Sequence, residues 1–100
     1  MLYAIYCVDK PNSAELRAKL RPPHQAYLKT QSGIIIVAGA TQTDDGNTAT
    51  GSMFIINVDS RSEAETFAKR DPFNSGDLFE QVTVKRMRKG HWHPENAENA

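Results

Sequence analysis

Three short runs of this chain are apolar at consecutive positions instead of at alternate ones: Leu2-Tyr3-Ala4-Ile5-Tyr6-Cys7, Ile34-Ile35-Ile36-Val37 and Met53-Phe54-Ile55-Ile56. Each is rich in β-branched or aromatic side chains and too short for a typical helix, so each reads as a strand. Successive side chains of a strand point to opposite faces, and a strand with one wet face therefore alternates apolar with polar residues. These do not. The sheet they build is apolar on both faces, and whatever the chain folds into must cover both.

The punctuation between the runs sets the order of elements. Strand Leu2 to Val8 ends at Asp9-Lys10-Pro11-Asn12, a turn. Asn12 and Glu15 stand at capping-box spacing, and Ala14, Leu16, Ala18 and Leu20 favour a helix that Pro22-Pro23 breaks or kinks. A second helical piece restarting at the prolines carries His24, Tyr27 and Leu28 to Gly33. Strand Ile34 to Ala38 follows, then a loop from Thr41 to Thr50 containing Asp45-Gly46-Asn47, then strand Ser52 to Val58, which makes a hairpin. Ser60 and Glu63 form a second capping box, and Ala64, Phe67 and Ala68 recur at helical spacing up to Asp71-Pro72. A last strand lies within Glu80 to Lys89, and a polar tail begins at His91.

The order βαββαβ predicts an α+β, ferredoxin-like sandwich, with both helices on one face of a four-stranded antiparallel sheet. Two helices cannot wrap both sides. The economical cover for the second apolar face is a second copy of the chain packed face to face, giving a homodimer and a dimeric α/β barrel. One domain over residues 1–90 and a tail over 91–100 account for the 100 residues.

Twelve basic and twelve acidic residues leave a formal net charge of zero, which argues against a nucleic-acid partner and favours a small molecule. Cys7 is the only cysteine, so no intrachain disulfide forms and a reducing compartment fits. The opening MLYAIYCV is too short to span a membrane and resembles no secretory leader. The expectation is a cytoplasmic protein without a membrane partner.

His24 follows a helix break, and an imidazole is the side chain suited to accept a proton from a hydroxyl or a carbon acid; a packing or surface histidine is the plain alternative. Asp71 precedes a proline that can fix where its carboxylate points, or it simply starts a turn. Asp9 and Arg17 are close enough in sequence to pair, either as an exposed ion pair or as a held guanidinium that offers a fixed donor to an anionic oxygen. Ser52, at the start of the third strand, could add a hydroxyl to that anion. Lys85-Arg86-Met87-Arg88-Lys89 reads as a solvated or edge strand, and His91-Trp92-His93 offers too few ligands to hold a metal. Tyr3, Tyr6, Tyr27 and Phe73 are the aromatic residues that could line a pocket. Phosphate-binding glycine loops, nucleophile elbows and Cys-x-x-Cys pairs are absent.

Taken together, LYAIYCVDKPNSAELRAKLRPPHQAYL, TDDGNTATGS and DSRSEAETFAKRDPF occur in the order and spacing of the YCII-related (YciI-like) family, which the chain resembles from Met1 to Lys89. The resemblance implies the same fold, dimers of α/β-barrel character, and a His-Asp dyad at His24 and Asp71. In a dehydrochlorinase of that family a proline orients the dyad, and an arginine and a serine form an oxyanion pocket. Those roles fall here on Pro72, Arg17 and Ser52, with Asp9 orienting Arg17. The activity implied is cofactor-free proton abstraction from a small hydroxylated aromatic or enolic substrate, lyase-like (a dehydrochlorinase) or isomerase-like. The alternative is a non-catalytic binding or assembly module of the same family; a haem- or metal-dependent oxygenase on the same scaffold is a third reading.

Overall fold

In the computed structural model, which describes residues 1–100, the first apolar run lies at the centre of the sheet. Strand β1 (Leu2–Asp9) pairs antiparallel with β3 (Ala49–Asn57) on one side and with β4 (Phe79–Met87) on the other, and β2 (Ile35–Gln42) completes the order β2-β3-β1-β4. Helix α1 (Ala14–Thr30) links β1 to β2, and α2 (Arg61–Arg70) with the single turn α3 (Pro72–Ser75) links β3 to β4. This is the ferredoxin-like arrangement, with α3 as an added turn. Pro94–Ala97 forms a 3₁₀ turn in the exposed tail. No helix is long and apolar enough to cross a membrane.

The register decides which half of each run is buried. Ile5 lies opposite Phe54 and Val84, and Cys7 opposite Ser52 and Val82. Tyr3, Ile5, Cys7, Phe54 and Ile56 point into the core, where they meet Ala64, Phe67 and Ala68 of α2, Phe73 of α3 and half-buried Leu16, Leu20, Tyr27 and Leu28 of α1. The intervening residues face the other way. Tyr6 pairs with Met53, Leu2 with Met87, and Val37 with Ile55, and no helix covers them. Tyr6 remains 46% exposed, Val37 57%, and Met53 and Met87 40% each. The sheet is thus apolar on both faces and covered on one.

Helix α1 differs from its expected form. It runs unbroken through Pro22 and Pro23. The two missing N–H groups would have bonded the carbonyls of Ala18 and Lys19. Both residues are exposed, so their carbonyls are left to solvent and the helix continues. The expected Asn12–Glu15 box does not form: Ser13 is the N-cap, its hydroxyl donates to the Lys10 carbonyl at 2.6 Å, and Asn12 takes a left-handed turn conformation at φ 58°. The cap at Ser60 does form, with the return bond from Glu63 falling one residue before the cap. The Glu63 N–H donates to Ser60 Oγ at 3.1 Å, and Glu63 Oε2 accepts from the Asp59 N–H at 3.0 Å. The basic run ends β4, an edge strand, where exposed Lys85 and Arg86 discourage further pairing.

Candidate active site

Two hydrogen-bonded pairs lie side by side under the helices, one joining residues 47 positions apart in the chain and the other residues 8 apart. Asp71 is the residue at which α2 stops and α3 starts. Pro72 fixes the first position of α3, and Asp71 Oδ1 accepts the Phe73 N–H at 2.9 Å as an N-cap. The same oxygen accepts from Nδ1 of His24, on α1, at 2.7 Å. With the carboxylate ionised, Nδ1 carries the proton and Nε2 is left as the free nitrogen. The His24 imidazole stacks on the Phe73 ring, with centroids 3.7 Å apart and planes 13° from parallel. Its position is thereby fixed by one hydrogen bond and one ring face. His24 is 5% exposed and Asp71 1%, so one chain buries the pair by itself.

The second pair joins β1 to α1. Arg17 Nη1 donates to Asp9 Oδ2 at 2.7 Å, and Nη2 donates to the Gly51 carbonyl at 3.1 Å and to Ser52 Oγ at 3.3 Å. The guanidinium also lies 4.6 Å from the centroid of Phe73, at cation–π distance. Phe73 therefore touches both the imidazole and the guanidinium of the site. Gly51 is required by close approach: a Cβ there would sit 2.1 Å from the Cys7 carbonyl oxygen. Only glycine lets β3 come near enough to β1 for Ser52 to meet Arg17.

Asp9 Oδ1 and Asp71 Oδ2 are buried and accept no hydrogen bond. Burial pushes the thiol of Cys7 up to about 12, and the charges of Asp71 and Asp9 push it the same way against the opposing effect of Arg17. The one cysteine is consequently a protonated core residue and no nucleophile at neutral pH. Tyr27 is raised as well, by burial first and by Asp71 second.

A cavity of about 590 Å³ opens between α1 and the β2–β3 hairpin. Arg17, His24, Ser52 and Phe73 all line it. Asp9 and Asp71 pair with Arg17 and His24 from outside the lining, and Pro72, also outside it, opens α3. The six residues expected from sequence thus fall in one place. Of the four aromatic candidates only Phe73 reaches the cavity. Tyr3 is in the core, Tyr6 lies on the uncovered face, and the Tyr27 hydroxyl donates to the Phe67 carbonyl at 2.9 Å. Sequence reasoning did not single out Arg21, Gln25 or Gly51. The first two were detectable, since positions 17, 21, 24, 25 and 28 share one face of a continuous helix; the proline pair hid that continuity. No three His, Cys, Asp or Glu side chains converge in the chain, and His91 and His93 lie apart from the cavity in the exposed tail.

The fold and the sequence have counterparts. The dehydrochlorinase TftG of Burkholderia phenoliruptrix AC1100, which acts on 5-chloro-2-hydroxyhydroquinone and was solved with 2,5-dihydroxybenzoquinone, superposes with a TM-score of 0.83 at 34% identity, covering 90% of this chain and 96% of that one. Protein YciI of Escherichia coli is 35% identical over 96 residues, spanning 89% of this chain and 98% of its own length. A Haemophilus influenzae protein is 29% identical over a stretch of the same length. The model of the YCII-related domain matches residues 1–88. The chain belongs to the YCII-related family.

Proposed function

We propose that this protein is a small, cofactor-free enzyme in which His24 takes a proton from the hydroxyl of a small hydroxylated aromatic or enolic substrate. The observation that carries the reading is the buried Nδ1–Oδ1 contact of 2.7 Å between His24 and Asp71 at the edge of a cavity a small ring would fill. Asp71 holds the tautomer that leaves Nε2 free and stabilises the imidazolium formed when Nε2 takes the proton. Pro72 fixes the direction of that carboxylate. Arg17, held by Asp9, and Ser52 bind the oxyanion as charge develops on the substrate oxygen.

In an enolic substrate the electron pair of the broken O–H bond forms the carbonyl and the enol π pair moves over by one bond. Chloride then leaves from the allylic carbon in a dehydrochlorination, with net loss of HCl. On an aromatic ring the chlorine-bearing carbon first takes the proton of another ring hydroxyl, giving the keto tautomer in which that carbon is sp3 and allylic. In an isomerisation the imidazolium returns its proton to carbon instead. Similarity to TftG supports the elimination and a dihydroxyquinone-sized ligand. The uncovered apolar face supports a homodimer in which a second copy lies against Tyr6, Val37, Met53 and Met87.

Incubation with 5-chloro-2-hydroxyhydroquinone, followed by chloride release, tests the chemistry. The His24→Ala variant is expected to lose about 10²- to 10⁴-fold in rate while still binding 2,5-dihydroxybenzoquinone. Undiminished turnover in both His24→Ala and Asp71→Asn would remove the dyad from the mechanism. Wild-type protein that binds the quinone and turns nothing over would favour a binding module.

A further inference from the structure

The cavity carries a positive charge that the proton-abstraction chemistry does not use. Arg17, Arg21, His24 and Gln25 line one wall from α1, and Gln42 and Asn47 line the other from the hairpin; no Asp or Glu is among the lining residues. Arg17 is matched by Asp9 at 2.7 Å and His24 by Asp71 at 2.7 Å. Arg21 is different. It takes part in none of the chain's ion pairs, its side chain donates no hydrogen bond within the chain, and it is exposed at the cavity mouth. A guanidinium stays protonated at any working pH, so the lining holds one unmatched cation.

The position of Arg21 along the helix gives that charge a purpose. It lies one turn after Arg17 and nearly one turn before His24, about 6 Å and about 4.5 Å along the axis at 1.5 Å per residue. A ring whose reacting hydroxyl faces His24, and whose developing oxyanion faces Arg17 and Ser52, presents its remaining substituents to Arg21. We propose that the substrate carries a second anionic group, a carboxylate or an ionised ring oxygen, which Arg21 binds at the cavity mouth. The inference rests on the proposed use of the cavity as a substrate site and adds what else the substrate must bear. A planar guanidinium suits both oxygen anions, and a carboxylate can take it through two parallel bonds. Because Arg21 is solvated, its preference for anions weakens as salt rises.

Three probes separate the cases: neutral 1,4-dihydroxybenzene, 2,5-dihydroxybenzoate, which adds a carboxylate, and 2,5-dihydroxybenzoquinone, which adds ionised ring oxygens. Their affinities for the full chain are measured by NMR titration at low salt. At least one anion is expected to bind about tenfold or more tightly than the neutral ring, and which one does so identifies the group. In Arg21→Gln that preference should fall to within about twofold, with 1,4-dihydroxybenzene unaffected, and Arg21→Lys should restore part of it. Equal binding of neutral and anionic rings by the wild type, or a preference that survives Arg21→Gln, overturns the inference while leaving proton abstraction by His24 intact. Conversely, an Arg21-dependent preference without turnover of any ring sustains the anion site and removes the enzyme reading. Failure of all three probes to bind overturns both.

Discussion

On one side of the sheet Tyr3, Ile5, Cys7, Phe54 and Ile56 are sealed beneath the helices; on the other Tyr6, Val37, Met53 and Met87 keep 40% to 57% of their surface in solvent. The two faces come from the same strands and differ little in hydrophobicity, so apolar character does not tell them apart. Their polar exceptions do. The chain's buried polar residues, His24, Ser52 and Asp71, all sit on the covered side. Burying such groups is costly unless they find partners. The covered face meets that cost with the Asp71–His24 and Asp9–Arg17 pairs, and there a cavity opens that Arg17, His24, Ser52 and Phe73 line. The open face has no comparable cluster, and what it offers is area.

The largest test of this contrast is Phe73→Ala. Phe73 is 2% exposed, stacks on His24 and meets Phe79 edge-on with centroids 6.0 Å apart. Its truncation is expected to cost about 3–5 kcal/mol of unfolding free energy, read from urea midpoints. The matched change on the open face, Met53→Ala, should cost less than about 1 kcal/mol at concentrations where the chain is monomeric, since an exposed side chain leaves no cavity. Similar losses at the two positions would mean that the open face is as tightly packed as the core.

Both faces were legible in the strand pattern, because missing alternation is a local property of sequence. The cap at Ser60 and the stop at Asp71 were legible for the same reason. The continuity of α1 was not, because whether Pro22 and Pro23 break a helix depends on whether the carbonyls of Ala18 and Lys19 can reach solvent, which is decided by tertiary placement. Asn12 was misread as a cap because an Asn beside a helix start serves equally well as a left-handed turn residue. His24 and Asp71 were each ambiguous as single residues, being 47 positions apart, and family resemblance was what joined them. His24 and Asp71 are buried by the helices of their own chain, so a second copy on the open face is not needed to cover them.

The next effect in size concerns association. If the open face is a dimer seam, Val37→Lys should place a charge in a desolvated patch and weaken association by about a hundredfold, or about 2.7 kcal/mol, in sedimentation equilibrium. Far-UV circular dichroism should be unchanged, since Val37 is 57% exposed in the single chain. A wild-type protein that sediments as a monomer at micromolar concentration would break this half of the comparison.

The smallest effect belongs to the covered face and shows in its response to alkali. Cys7 is held protonated by burial and by the charges of Asp71 and Asp9, with its pKa pushed from 9.0 up to about 12. Between those values the unfolded chain loses the thiol proton while the folded chain keeps it, so stability falls as pH rises. The contribution is intact below pH 9.0 and is lost on approach to about 12. Tyr27, raised from 10.0 by burial and Asp71, acts in the same direction further up the scale. Between neutrality and pH about 10 the wild type should lose on the order of 1 kcal/mol more than Cys7→Ala does. The variant should be somewhat weaker at neutral pH, having lost a buried sulfur, and should show the flatter alkaline limb. Parallel limbs would mean that the Cys7 thiol ionises in the folded protein as freely as in the unfolded one, and that the space behind Asp9 and Asp71 admits water.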